Sequence, residues 1–186
     1  MSILGKFRST FTFGKTGLGS DVDSAADAPA IKEERRRNKR INARHETRAL
    51  IIDDSPTIVF ALKKILRSAG FLTLEAGDAE TGISIARTEV PDLIFLDIIL
   101  PGVNGFAALR TLRKDPSTSH IPIIMISGNE QATELFFGSR TGADDFMKKP
   151  FSRDEVFARI ERLLDADGVP RRITAAAAAS AADLGG

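Results

Sequence analysis

The stretch Leu93-Ile94-Phe95-Leu96-Asp97-Ile98-Ile99-Leu100-Pro101-Gly102 decides the fold. Four large apolar residues run without interruption into one carboxylate, and the chain then breaks at Pro101-Gly102. An apolar run of this length, with Pro91 just before it, predicts a strand covered on both faces. Strands of that kind belong to open α/β sheets, whose chemistry gathers at the carboxyl ends. Asp97 stands at such an end. By itself it could equally be an acid that caps a turn, so its meaning depends on what the neighbouring segments bring to it.

A strand–helix alternation extends from this stretch in both directions. Before it, residues 49–52 form a short apolar strand ending at Asp53-Asp54. Ser55-Pro56 then supplies an N-cap and a first-turn proline, and Ile58, Val59, Leu62, Ile65, Leu66 and Ala69 fall on one helical face that Gly70 ends. A second strand is expected at 71–74 and a helix at 79–88. After the central stretch, a helix is expected at 104–114 through Phe106, Leu109 and Leu112, then a strand at 121–126 ending at Ser127-Gly128. A helix over 131–140 leads to a short strand at 145–148. Pro150 breaks that strand, and Ser152 can cap a last helix carrying Val156, Phe157, Ile160, Leu163 and Leu164 on one stripe. Five strand–helix pairs in succession predict an α/β protein: a five-stranded doubly wound parallel sheet with helices on both faces and right-handed crossovers.

The 186 residues then divide into a leader at 1–47, a globular domain at 48–165 and an Ala-rich tail at 166–186, with leader and tail expected to be disordered. Gly14-Lys15-Thr16 is not a phosphate-binding loop, because the position five residues before Gly14 is Ser9 rather than glycine. The formal charge of +1 conceals an asymmetry. Residues 32–48 hold eight Lys/Arg against three Glu, whereas 49–165 hold thirteen basic against seventeen acidic groups. The acidic domain is therefore no nucleic-acid binder, and the basic leader is the part suited to an acidic partner or anionic lipid. With no Cys and two His, a disulfide framework, a thiolate or multi-histidine metal site and a cysteine nucleophile are all disfavoured. No run reaches the roughly 18 apolar residues of a membrane span, so a cytoplasmic protein without a transmembrane segment is expected.

In a parallel sheet every strand's carboxyl end lies on one edge. Asp53, Asp54, Asp97, Ser127 and Lys149 all sit at such ends, so three carboxylates, a hydroxyl and an ammonium converge on one crevice. Clustered carboxylates raise one another's pKa unless a cation is present. A hard divalent ion that keeps several waters suits them, and Mg2+ is the natural choice. With a lysine and a hydroxyl nearby, the set can neutralise a phosphoryl group in transfer, and an Asp carboxylate can serve as its nucleophile.

These residues carry a family resemblance. Over residues 48–165 the chain resembles a response-regulator receiver domain, a flavodoxin-like fold. The paired acids Asp53-Asp54, the run Asp97, Pro101, Gly105, the Ser127 position and Lys149-Pro150-Phe151 match its motifs in order and spacing. Each motif is weak alone; together they are specific. The resemblance implies that Asp97 accepts a phosphoryl group from a sensor histidine kinase. It implies that Asp53, Asp54, Asp97 and the backbone carbonyl of Ile99 hold Mg2+. Lys149 would pair with the phosphoryl oxygens, Ser127 would hydrogen-bond the phosphate, and Phe146 would be the aromatic that reorients with Ser127. Lys148 competes with Lys149 by composition, but the Lys-Pro-Phe match and strand alternation favour Lys149. A cis bond before Pro150 is also implied. Ser127 replaces the commoner Thr, and Ile99 and Asn129 occupy positions that influence dephosphorylation in similar domains.

The expected output is phosphorylation-dependent binding of a downstream protein, with no DNA-binding domain and no enzymatic activity beyond the domain's own phosphoryl chemistry. Consecutive Leu135, Phe136 and Phe137 cannot all face the core of one helix and form a candidate partner surface beside Phe146. Stand-alone receivers of this kind resemble chemotaxis and twitching-motility (type IV pilus) regulators. A phosphorylation-independent scaffold is the main alternative. An Asp-nucleophile phosphatase of the haloacid-dehalogenase kind would need an acid where Ile99 stands.

Overall fold

The computed structural model describes residues 41–138 and 142–172. The leader before residue 41 with its basic arm, the tail from residue 173, and the side chains of Leu135 and Phe137 lie outside that description. Five strands alternate with five helices: β1 (Arg48–Ile52), α1 (Pro56–Arg67), β2 (Leu72–Ala76), α2 (Ala79–Glu89), β3 (Leu93–Asp97), α3 (Gly105–Lys114), β4 (Ile123–Ser127), α4 (Glu130–Gly138), β5 (Asp145–Lys148) and α5 (Arg153–Glu161). The strands form one parallel sheet in the order β2-β1-β3-β4-β5.

Strand alternation sorts the apolar residues into two cores. Leu50, Ile52, Ile94, Leu96, Ile123 and Met125 face Ala79 and Ala86 of α2 and Ala108, Leu109 and Leu112 of α3. Ala49, Ile51, Leu93, Phe95, Ile124 and Ile126 face Leu62 and Leu66 of α1 and Val156, Phe157 and Ile160 of α5. All five residues of β3 are buried, as the uninterrupted apolar run required of a strand with helices on both sides. Burying one such side chain contributes about 2 kcal/mol, so the central strand anchors both layers.

Local signals set most boundaries. Asp78, Asn104 and Ser152 cap α2, α3 and α5 by accepting from Thr81, Ala107 and Glu155 backbone N–H groups. Ser55 occupies the equivalent position before α1 without a side-chain cap bond; Pro56 starts that helix instead. Strand β2 runs two residues further than the expected 71–74, because pairing with Ile51 and Ile52 of β1 carries it through Glu75 and Ala76. The last helix ends at Glu161; Leu163 is still buried, but in a turn that leads to an isolated bridge between Leu164 and Pro170.

Contacts continue on both sides of 48–165. Ile41 is buried in the α1/α5 core, and Arg44 N–H donates to Gly168 O at 2.8 Å. Arg172 donates to Asp144 Oδ1 at 3.1 Å and Ser119 O at 3.1 Å, fastening the chain after α5 to the amino-terminal edge of β4 and β5. Among the described residues, no helix is long and apolar enough to cross a membrane.

Candidate functional site

The strand order places β1 and β3 side by side while the chain leaves them in opposite directions, toward β2 and toward β4. That reversal opens a crevice at their carboxyl ends. Asp53 follows β1 and Asp97 ends β3, and the parallel register of Ile52 with Leu96 sets the two acids level. Asp53, Asp54 and Asp97 offer carboxylate oxygens within 4.8 Å of one another. Asp53 and Asp97 are buried and Asp54 is exposed at the mouth. An open cleft of about 240 Å3 adjoins them, lined by Asp53, Asp54, Pro56, Val59, Glu75, Ala76 and Gly77.

Strand β5 brings in the cation. Lys149 Nζ lies 2.7 Å from Asp97 Oδ2 and 2.7 Å from Asp53 Oδ2. The peptide bond between Lys149 and Pro150 is cis, and Lys149 N–H donates to Ser127 O at 2.8 Å. Lys148 points elsewhere and pairs with Glu130 at 3.3 Å. Strand alternation sends neighbouring side chains to opposite sides, which is why only one of two adjacent lysines reaches the crevice.

Backbone groups orient the acids. Ser55 N–H donates to Asp53 Oδ1 at 2.9 Å, and Ile99 N–H to Asp97 Oδ1 at 3.2 Å. Ser127 is fully buried and its Oγ accepts from Asn129 N–H at 3.0 Å. Sequence reasoning could not find the Ser55 amide, since a backbone donor carries no residue-type signal. Ile99 is 53% exposed.

Electrostatics leave the site short of positive charge. Burial pushes the Asp97 carboxyl above its usual range and outweighs the hydrogen bond and charge of Lys149, while the charge of Asp53 adds to the rise. Burial would lower Lys149, yet its contacts with Asp97 and Asp53 prevail and hold the ammonium above its ordinary value. Different forces win at the two ends of one contact because two carboxylates act on the single ammonium, which each carboxylate must share. Lys149 therefore stays charged, and buried Asp97 remains under-compensated. Asp53 Oδ2, though at ion-pair distance from Lys149, accepts no hydrogen bond of good geometry. A buried oxygen in that condition, among three acids and one base, fits a hard cation.

Beyond the crevice, Phe146 of β5 is buried and stacks on half-buried Phe136 of α4, with ring centroids 5.0 Å apart and planes tilted by 31°. Phe136 packs on the α2/α3 core, which brings that part of the expected partner surface directly against Phe146.

Fold and site together define an α/β protein with an acidic, lysine-bridged crevice at the topological switch point of its sheet. The sequence profile of the response regulator receiver domain matches residues 49–161, and the chain belongs to that family. It is 40% identical over 117 residues to Protein PilH of Pseudomonas aeruginosa, a match spanning 63% of this chain and 97% of that protein. The DNA-binding response regulator MtrA of Mycolicibacterium smegmatis is 38% identical over 117 residues, but there the match spans only 50% of the relative. Among solved structures, the receiver domain of sensor histidine kinase PA1611 from Pseudomonas aeruginosa PAO1 aligns with a TM-score of 0.59 at 26% identity, over 63% of this chain and 96% of that one. That structure carries a magnesium ion coordinated in its active-site cleft. The protein is thus a two-component response regulator receiver, built on the doubly wound fold its sequence implied.

Proposed function

We propose that Asp97 is the phosphoacceptor of this receiver and that a sensor histidine kinase is its donor. The supporting observation is the crevice itself, where Lys149 Nζ lies 2.7 Å from both Asp97 and Asp53 while Asp54 stands at the mouth. A carboxylate oxygen of Asp97 forms the new P–O bond, and the P–N bond to the donor imidazole breaks with its electron pair going to nitrogen, so that an imidazole already protonated on its other ring nitrogen leaves as the neutral base. Lys149 holds phosphoryl oxygens, and Ser127 at the end of β4 supplies a hydroxyl to the product. Asp53, Asp54, Asp97 and the Ile99 carbonyl would hold Mg2+. A bound Mg2+ supplies charge neutralisation for the phosphoryl oxygens in transfer.

The proposed output is binding of a downstream protein through the α4–β5 face. Phosphorylation would draw Ser127 toward the crevice, and Phe146, stacked on Phe136, would move with it to alter the surface carrying Leu135, Phe136 and Phe137. Kinship with PilH over nearly that protein's whole length supports a role in motility signalling of the chemotaxis or type IV pilus kind, carried out in the cytoplasm.

Acetyl phosphate with Mg2+ tests the central step, read by intact mass. Wild type is expected to gain one phosphoryl group that EDTA prevents, and Asp97→Asn to gain none. A gain that survives in Asp97→Asn, or none in wild type, overturns the assignment.

A further inference from the structure

Gly105 opens α3 directly beneath the phosphoacceptor. Its N–H donates to Ile98 O at 2.9 Å. A β-carbon placed on it would stand 2.0 Å from Asp97 O and 2.8 Å from Ile98 Cα, both backbone atoms that cannot swing aside. Glycine is not required here for an unusual conformation, because Gly105 is not among the positive-φ glycines. It is required for close approach. The same short segment is tied on its other side by Ile98 N–H to Ile126 O of β4 at 3.0 Å. Asp97, Ile98 and Ile99 are therefore clamped between β4 and the first residue of α3.

We infer that Gly105 is a positioning residue for the metal and phosphoryl site. Its lack of a side chain sets the height of the Asp97–Ile99 backbone relative to Asp53 and Asp54. The inference rests on the phosphoacceptor reading above, since it concerns how the Asp97 carboxylate and Ile99 carbonyl are presented to a cation. An alanine would have to push the Asp97 carbonyl from 2.0 Å out to the 3.4 Å where ordinary contact begins, and a carboxylate set held at fixed spacing loses cation affinity when one member moves. Asn104, whose side chain accepts from Ala107 N–H at 2.9 Å, holds the same helix start by a route that involves no clash.

The experiment is a calorimetric Mg2+ titration of the full chain, which has no Trp to report binding by fluorescence. Wild type, Gly105→Ala, Gly168→Ala and Asn104→Ala are compared. Gly168 also makes a close contact, 2.5 Å from its virtual β-carbon to Asn42 O, and adds the strain of a positive φ of 72°, in the segment that joins the two chain flanks. Gly105→Ala is expected to keep its circular dichroism and to bind Mg2+ about tenfold or more weakly, while Gly168→Ala stays within about twofold of wild type. A folded Gly105→Ala with wild-type affinity overturns the inference. So does an equal loss in Gly168→Ala, which would make the effect one of general stability. If Gly105→Ala does not fold, Asn104→Ala decides: weakening by about threefold supports the clamp, and unchanged affinity overturns it. Failure of wild type itself to bind Mg2+ is a separate result that defeats the underlying phosphoacceptor reading.

Discussion

Lys149 Nζ stands 2.7 Å from Oδ2 of Asp97 and 2.7 Å from Oδ2 of Asp53, so one ammonium from the end of β5 bridges the ends of β3 and β1. Without a metal this contact is what makes two buried acids tolerable side by side. It also stands against oxygens that a bound cation would use. Removing it should therefore have opposite effects on folding and on metal binding.

Lys149→Ala is expected to destabilise the Mg2+-free protein by about 3 kcal/mol, the cost of leaving buried charge without its partner. Added Mg2+ should restore most of that loss. Urea unfolding in EDTA and in Mg2+ measures both, and a variant as stable as wild type in EDTA would show that the bridge carries no weight.

The direction of the Asp97 shift gives a pH dependence. Burial raises its carboxyl above the ordinary 3.8, so the folded state keeps the proton longer than the unfolded chain. As pH climbs from 3.8 to the folded value, the unfolded state ionises first and wild type loses stability; above that value the penalty is constant. Asp97→Asn escapes it. In EDTA the variant should gain on wild type between pH 3.5 and pH 7, whereas Mg2+ at about 100 times its Kd should stabilise wild type alone by about 2.7 kcal/mol. A pH-independent difference between the two proteins would contradict this account.

Ile99 lies two residues beyond Asp97 and is 53% exposed. If Asp97 carries an acyl phosphate, an apolar group there would restrict the approach of water to it. Ile99→Asn offers a polar group in its place and is expected to shorten the phosphoryl lifetime by about tenfold, a barrier change of about 1.4 kcal/mol. An unchanged decay rate of the phosphorylated protein would remove Ile99 from the chemistry.

Val90 ends α2 in the left-handed region, at φ 44° and ψ 67°, a conformation unfavourable to a β-branched residue. Its carbonyl accepts from Arg48 and its N–H donates to Ala86 O, so the backbone is held in place whatever the side chain. Val90→Asn should raise stability by about 1 kcal/mol, or roughly 4 °C in Tm. A lower Tm would mean that the half-exposed valine contributes more by packing than its backbone costs.

Much of the fold was legible because each element obeys a local rule. Uninterrupted apolar runs located the strands and period-3.6 patterns the helices among the described residues, and Ser152 announced a helix start by its side chain. The exceptions are instructive. Strand β2 passes the apparent stop after Leu74, since pairing with β1 rewards Glu75 and Ala76 for extending. Ser55 carries the composition of a cap without making the bond, and its N–H donates to Asp53. Ile41, Gly168 and Arg172 showed no periodic signal, yet each finds a place against the fold.

The sequence by itself determined which residues share the crevice. In a parallel sheet all strand ends of one polarity lie on one edge, so Asp53, Asp54, Asp97 and Lys149 come together once five strand–helix pairs are established, while Ser127 ends β4 on the same edge. Only the tertiary structure decided how they meet: one ammonium shared between two buried acids, Asp53 Oδ2 left without a hydrogen bond, Phe146 stacked on Phe136, and Gly105 pressed against the Asp97 backbone. Those relations depend on the packing distance between segments far apart in the chain. Local periodicity specifies the face and the edge on which a residue lies, but not the last ångström of approach.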